Sequence, residues 1–157
     1  MSFEKLSDQQ IWDIANPIMD NLMDASTQLD HARHVRDFTD RMKAIVTPAY
    51  LQRVCQQYQS EKGYFSNRVP VAVFKRPDSA AIVWKQSFTK VPGEFVAEMV
   101  LVHQNGRYLV DHAMVFWVLV WSRNALKLLI VDLTKFVMTK AGPTHFLKDK
   151  ETTRSLP

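Results

Sequence analysis

The feature that most constrains the fold of this chain is a change of hydrophobic period along it. As far as Gly63 the apolar residues recur at spacings of three and four, and from Val69 they alternate at spacings of two. A helix returns a side chain to one face about every 3.6 residues and a strand about every 2, so helices must come first and strands after. In consecutive order this makes an α+β protein, with helices packed on one face of an antiparallel sheet.

The helical part carries its own punctuation. Ser7 with Gln10 three positions on is a capping-box pattern, in which hydroxyl and amide each satisfy a free backbone N–H. Ile11, Ile14, Ala15, Ile18, Met19, Leu22 and Met23 then form one apolar stripe. Pro17 falls within it and predicts either a kink or a restart capped by Asn16. A second helix is expected from Thr27, with Asp30 three residues on, carrying Val35, Phe38, Met42 and Ile45. Thr47 and Pro48 open a third helix with Leu51, Val54, Cys55 and Tyr58 on one side, and Lys62-Gly63 closes it.

Four strands are expected, over Val69 to Arg76, Ala80 to Lys90, Glu94 to His103 and Arg107 to Val118. Asn105-Gly106 is the sharpest turn signal, because a two-residue hairpin turn needs positive φ twice. Pro92-Gly93 suits a type II turn and Pro77-Asp78 a type I turn. After Trp121, Leu126, Leu129, Ile130, Leu133, Phe136 and Val137 would line a helix capped by Ser122 and stopped by Gly142-Pro143, although the same residues are β-prone. The expected domain is thus residues 1–142, with 143–157 a polar, frayed tail.

Pairing across the turns locates a candidate site. Asn105-Gly106 sets Leu101 opposite Val110, Met99 opposite His112 and Ala97 opposite Met114. A tight turn at Pro92-Gly93 would set Phe88 opposite Ala97, Gln86 opposite Met99 and Trp84 opposite Leu101. These pairs share one side of the sheet, with Ile82, Phe95, Tyr108, Val110 and Phe116, and only Gln86 and His112 break its apolar character. A buried amide or imidazole must find partners, which singles out the row Gln86, Met99, His112. The alternative is that each is a core residue satisfied by backbone or buried water.

The other side mixes Lys85, Ser87, Glu98 and Asp111 with Val83, Val96, Val100, Val102, Leu109 and Val115. Left wet, those valines would make a sizeable apolar patch, which predicts a homodimer through the sheet.

Composition excludes several classes. The formal charge is +4 with a pI near 9.3, but the Lys and Arg are scattered among 16 acidic residues, so nucleic acid is not an expected partner. Four glycines and no Gly-rich loop argue against a phosphate cradle or a dinucleotide cofactor, and no cofactor is expected. The single Cys55 fits a reducing compartment, as a small buried apolar side chain. No early apolar run marks a signal peptide, and Ala113 to Trp121 is too short to span a bilayer, so the expected location is cytoplasmic. His31 and His34 are neighbours on a helix, but no third ligand is identifiable, and no metal is predicted.

The helices from Gln10 to Phe65, the hairpin Phe95 to Phe116 and above all the run Asn105-Gly106-Arg107-Tyr108-Leu109-Val110-Asp111-His112 resemble the nuclear transport factor 2-like superfamily, a cystatin-like α+β cone. The likeness covers about Gln10 to Val118. It implies helices on a strongly curved sheet, an apolar cavity between them and frequent dimerisation through the sheet. No residue of this chain matches the Tyr and Asp pair of the superfamily's ketosteroid isomerase branch.

The expected function is therefore a binding or accessory module whose cavity, lined by Trp84, Phe88, Met99 and Met114, admits a small apolar ligand oriented by Gln86 and His112. An isomerase or dehydratase is the alternative, with His112 as general base and Gln86 or Tyr108 steadying an enolate-like oxygen. A third possibility is a dimerisation scaffold with a filled core.

Overall fold

The capping box at Ser7 opens the first helix as its sequence pattern predicts. The computed structural model describes residues 2–116. Ser7 Oγ accepts from the Gln10 N–H at 3.1 Å, and Gln10 Oε1 accepts from the Ser7 N–H at 2.8 Å. Helix α1, Asp8–Gln28, runs through Pro17 without a restart. Ile11 and Ala15 before the proline and Met19 and Leu22 after it are buried on one face, and that packing carries the helix across the missing N–H. A 3-10 turn over Phe3–Lys5 precedes it and buries Phe3; three residues without periodicity gave no sign of it.

The expected second helix is broken in two. Thr27 lies inside α1, which ends at Leu29 in the left-handed conformation. Asp30 then caps α2, His31–His34, and Thr39 caps α3, Asp40–Ile45. Residues 35–39 leave the helical path because the sheet edge claims their backbone. Val110 N–H donates to Asp37 O at 2.7 Å, and Thr39 N–H donates to Val110 O at 3.0 Å, forming a parallel bridge between Phe38 and Val110. Helix α4, Pro48–Lys62, follows with its Thr47 cap and first-turn proline.

The strands are β1, Phe65–Lys75, β2, Ser79–Phe88, β3, Phe95–Gln104, and β4, Arg107–Phe116, in the order β1-β2-β3-β4 and all antiparallel. Trp117 and Val118, the helix expected after Ser122, the polar tail and the end of the expected 1–142 domain lie outside the described residues.

Two registers differ from expectation. Near the Asn105-Gly106 turn, where both residues have positive φ, Gln104 meets Arg107 and Leu101 meets Val110 as predicted. Asp111 is then an extra residue in β4, so Val100, and not Met99, meets His112, and Val115, and not Met114, meets Ala97. This β-bulge has a physical cause in the helical layer: the Asp111 carboxylate accepts from Thr39 Oγ1 at 2.9 Å and from Arg41 Nε at 3.2 Å, while Val110 is tied on both backbone groups to residues 37–39.

Between β2 and β3 the tight turn at Pro92-Gly93 is absent. Thr89 N–H donates to Tyr64 O and Lys90 N–H to Lys62 O, each at 3.0 Å, so the chain keeps following the start of β1 before it turns. Trp84 consequently meets Ala97 and Gln86 meets Phe95. The shift is even, so the faces of β2 and β3 are those expected.

Ile11, Ala15, Met19 and Met23 of α1, Phe38, Met42, Leu51 and Cys55 fill the core against Ile82, Trp84, Ala97, Met99, Leu101 and Val110. Among the described residues no helix is long and apolar enough to cross a membrane.

Gly63 closes α4 at φ +81°, where a Cβ would run into Thr89 Oγ1. That hydroxyl accepts from the Tyr64 N–H at 2.9 Å and cannot move away freely. Replacing Gly63 by Ala is therefore expected to lower stability by more than about 1 kcal/mol in urea denaturation.

Candidate functional site

The structure separates the residues that the expected register placed together. Trp84, Gln86, Phe88 and Met99 lie on the inner face, under the helices. His112 and Met114 are turned by the Asp111 bulge to the outer face, beside Val100 and Glu98. The row Gln86, Met99, His112 does not form, because a single extra residue reverses every later side chain of a strand.

The space between helices and sheet is filled. Trp84 is 1% exposed and Met99 0%, as are Ile82 and Leu101. A void roomy enough for water would leave accessible area on the side chains lining it, and these have essentially none. Trp84 packs edge-on against Trp12 with ring centroids 5.5 Å apart, and its Nε1–H donates to Asn16 Oδ1 at 3.0 Å. The Arg68 guanidinium covers its other side and pairs with Asp20. Phe88 belongs to a separate aromatic group with Tyr58, Phe65 and Phe95, over which the Lys62 ammonium sits 5.9 Å from the Phe88 centroid and 5.7 Å from that of Phe95.

Gln86 is fully buried, and its amide has a structural task. Nε2 donates to Ser87 O at 2.8 Å, to Ser66 O at 3.1 Å and to Asn67 O at 3.4 Å. Ser66 and Asn67 lie at the irregularity where β1 slips against β2, so their carbonyls lack ladder partners there. The three acceptors fix which way the amide faces, and Oε1 is left without a protein partner. This is the core alternative weighed above for Gln86: an amide held by backbone.

His112 meets Glu98 across the outer face, Nε2 to Oε1 at 2.9 Å, with both side chains about a third exposed. Tyr108 packs its ring against Phe3 and His103 at the hairpin end of β4. The general base, the amide and the phenol of the enzymatic alternative therefore do not converge on one point. The expected neutralisation of Lys85, Glu98 and Asp111 among themselves is also replaced. Lys85 pairs with Glu94, Glu98 with His112 and Asp111 with Arg41. Burial opposes ionisation of Asp111, but the bonds from Arg41 and Thr39 outweigh it and hold its carboxyl below the usual range.

A buried polar group that the periodicity did not reveal joins α1, α2 and α4. Ser26 Oγ donates to Leu22 O at 2.7 Å and lies 3.0 Å from His34 Nδ1, while Gln59 Nε2 reaches Ser26 O and Thr27 O at 3.3 Å. Ser26 prolongs the stripe of Met19, Leu22 and Met23, and a polar residue on an apolar stripe was the one available sign. Burial pushes both the Cys55 thiol and the Tyr58 phenol up. His31 Nε2 is held by Val46 O at 2.7 Å, so His31 and His34 face different partners, and among the described residues no three His, Cys, Asp or Glu side chains group to hold a metal.

No protein-family model matches this chain, and no curated protein matches it. Among solved structures, a SEC-C motif-containing protein from Rhodopseudomonas palustris is similar at 12% identity and TM-score 0.45, over 66% of this chain and 89% of that one. A protein of unknown function with a cystatin-like fold from Methylobium petroleophilum is similar at 13% identity and TM-score 0.45, over 71% and 80%. A Bdellovibrio bacteriovorus protein is similar at 9% identity and TM-score 0.43 over 69% of this chain, which spans only 40% of its length. Likenesses of this size assign neither a site nor an activity.

His34 yields a pH prediction. Burial foremost, aided by the charge of His31 and opposed by the Leu22 carbonyl, lowers its pKa from 6.5 to about 4. Between those values the unfolded chain holds a proton that the folded one excludes, so stability falls as pH drops through 6.5 and levels off below 4. The loss is about 3 kcal/mol, at roughly 1.4 kcal/mol per pH unit. Denaturation midpoints measured across this window should show that slope, and His34→Gln should flatten it.

Proposed function

We propose that this chain is an accessory module that works through the outer face of its sheet, over a core too full to hold a ligand. One observation carries this: the inner face is packed to closure while the outer face is apolar and half-open. Phe74 is 61% exposed and Val69 47%, and Val83, Val100, Leu109 and Met114 are all only partly covered. A protein that kept such a surface merely as an exterior would gain solubility by making it polar, so its retention marks a contact surface. The resemblance to the nuclear transport factor 2-like superfamily accords with this, since it implies helices on one face of the sheet and association through the other.

The small-ligand reading keeps one observation in its favour, the unpartnered Oε1 of Gln86. A water or a ligand N–H would satisfy it. Trp84, Phe88 and Met99 would then have to open around it, and His112 and Met114 would take no part. The isomerase or dehydratase reading loses its general base to the other side of the sheet.

Two chemically identical substitutions separate the faces. Val110 is fully buried on the inner face and Val100 lies on the outer one. In protein dilute enough that the unfolding midpoint no longer depends on concentration, Val110→Thr is expected to cost about 1–3 kcal/mol for an unpaired buried hydroxyl, and Val100→Thr less than about 0.5. Equal costs would make the outer face part of the fold's interior and end the proposal.

A further inference from the structure

The partner of that outer face can be narrowed by what the face lacks. Its ionic groups are already paired within the chain: Lys85 with Glu94 at 3.1 Å, His112 with Glu98 at 2.9 Å and Asp111 with Arg41 at 2.9 Å. None of them calls for a countercharge from outside, so an acidic peptide, a nucleic acid or an anionic lipid surface would find no complementary field here. The described residues hold 13 Lys and Arg against 13 Asp and Glu, leaving seven and three of the chain's 20 and 16 beyond residue 116. Two such units approach each other without net repulsion.

The sheet's edges are poor docking sites, which leaves its face. β1 carries Pro70, which has no N–H, and slips register twice against β2. β4 has both backbone groups of Val110 taken by residues 37–39. On the face, cross-strand rows such as Ala72, Val83, Glu98, Met114 and Phe74, Ala81, Val100, His112 each carry a single ionisable residue at or beyond β3, leaving the β1–β2 half apolar.

Four strands of about ten residues, at about 3.4 Å per residue and about 4.8 Å between strands, cover roughly 650 Å². Two copies would bury roughly 1,300 Å², which reaches the standard size of a stable interface at about 1,200–2,000 Å².

We propose that a second copy of this chain covers the outer face, the two sheets packing face to face about a twofold axis. The proposal rests on the reading of that face as a contact surface and names its occupant. Two identically twisted sheets stack with their strands inclined by about 30°, and an isologous contact closes on itself without leaving a second face open. Phe74 and Val83 of each copy would then meet apolar side chains of the other, and the ionisable rows would lie away from the most apolar half.

Light scattering on the full chain tests this. From micromolar to near-millimolar concentration in moderate salt, the mass should approach twice the 18.2 kDa of one chain. Val100→Glu should give a monomer with an unchanged far-ultraviolet spectrum. Should that variant fail to fold, the milder double substitution Val83→Thr with Val100→Thr should raise the dissociation constant by about tenfold or more. A wild-type monomer throughout the range overturns the proposal, and if Val100→Cys is then also shielded from a thiol reagent, the face is covered from within its own chain. A dimer indifferent to both variants associates elsewhere and overturns it equally. In each of these cases a neutral Val100→Thr in dilute protein would leave the contact-surface reading standing, so the two failures remain distinct.

Discussion

The backbone of Val110, held between Asp37 and Thr39, is the constraint on which the arrangement of this molecule turns. It ties the edge of the sheet to the loop joining α2 and α3, and it does so with main-chain hydrogen bonds that no substitution of side chains removes. The strand cannot continue in simple alternation past that clamp, because Asp111 is drawn to Thr39 and Arg41. The extra residue is absorbed as a bulge. Everything after it on β4 presents its opposite side: Ala113 and Val115 go to the core and His112 and Met114 to the outer face. One local tie thus decides both what fills the interior and what the exterior offers.

The same logic appears at the other end of the sheet. β1 slips against β2 near Ser66 and Asn67, and the carbonyls freed there are gathered by the Gln86 amide. An irregular strand needs a donor where the ladder fails, and a long, uncharged amide can deliver one into an apolar interior without burying a charge. The polar residue that stood out as a candidate for recognition is in this light a fastening of the fold.

How much of this was legible in the sequence follows from which interactions are local. The capping box at Ser7, the Thr47-Pro48 start of α4, the Gly63 stop and the Asn105-Gly106 hairpin were all readable, because each is decided within a few residues. The α+β order was readable because period is a property of a segment. Burial of Trp84, Met99 and Cys55 followed from the same periodicity. The break of the expected second helix and the reversal at His112 were not readable, since both come from one contact between residues about seventy positions apart. A turn fixes register only as far as the next bulge, and the six-residue Phe88–Phe95 gap was set by contacts with the end of α4. The candidate site failed for that reason: Gln86 and His112 were each placed correctly relative to their own nearest turn, and the parity between them was lost in the stretch that a distant loop controls.

The central claim is that one residue of β4 is bulged, so that the imidazole at 112 looks away from the core. Nuclear Overhauser contacts of that imidazole read this directly. The account predicts contacts from His112 to the methyls of Val100 and the methylenes of Glu98, and contacts from the Ala113 methyl to Met99. Contacts from the His112 ring to the Met99 methyl or the Trp84 indole would contradict it.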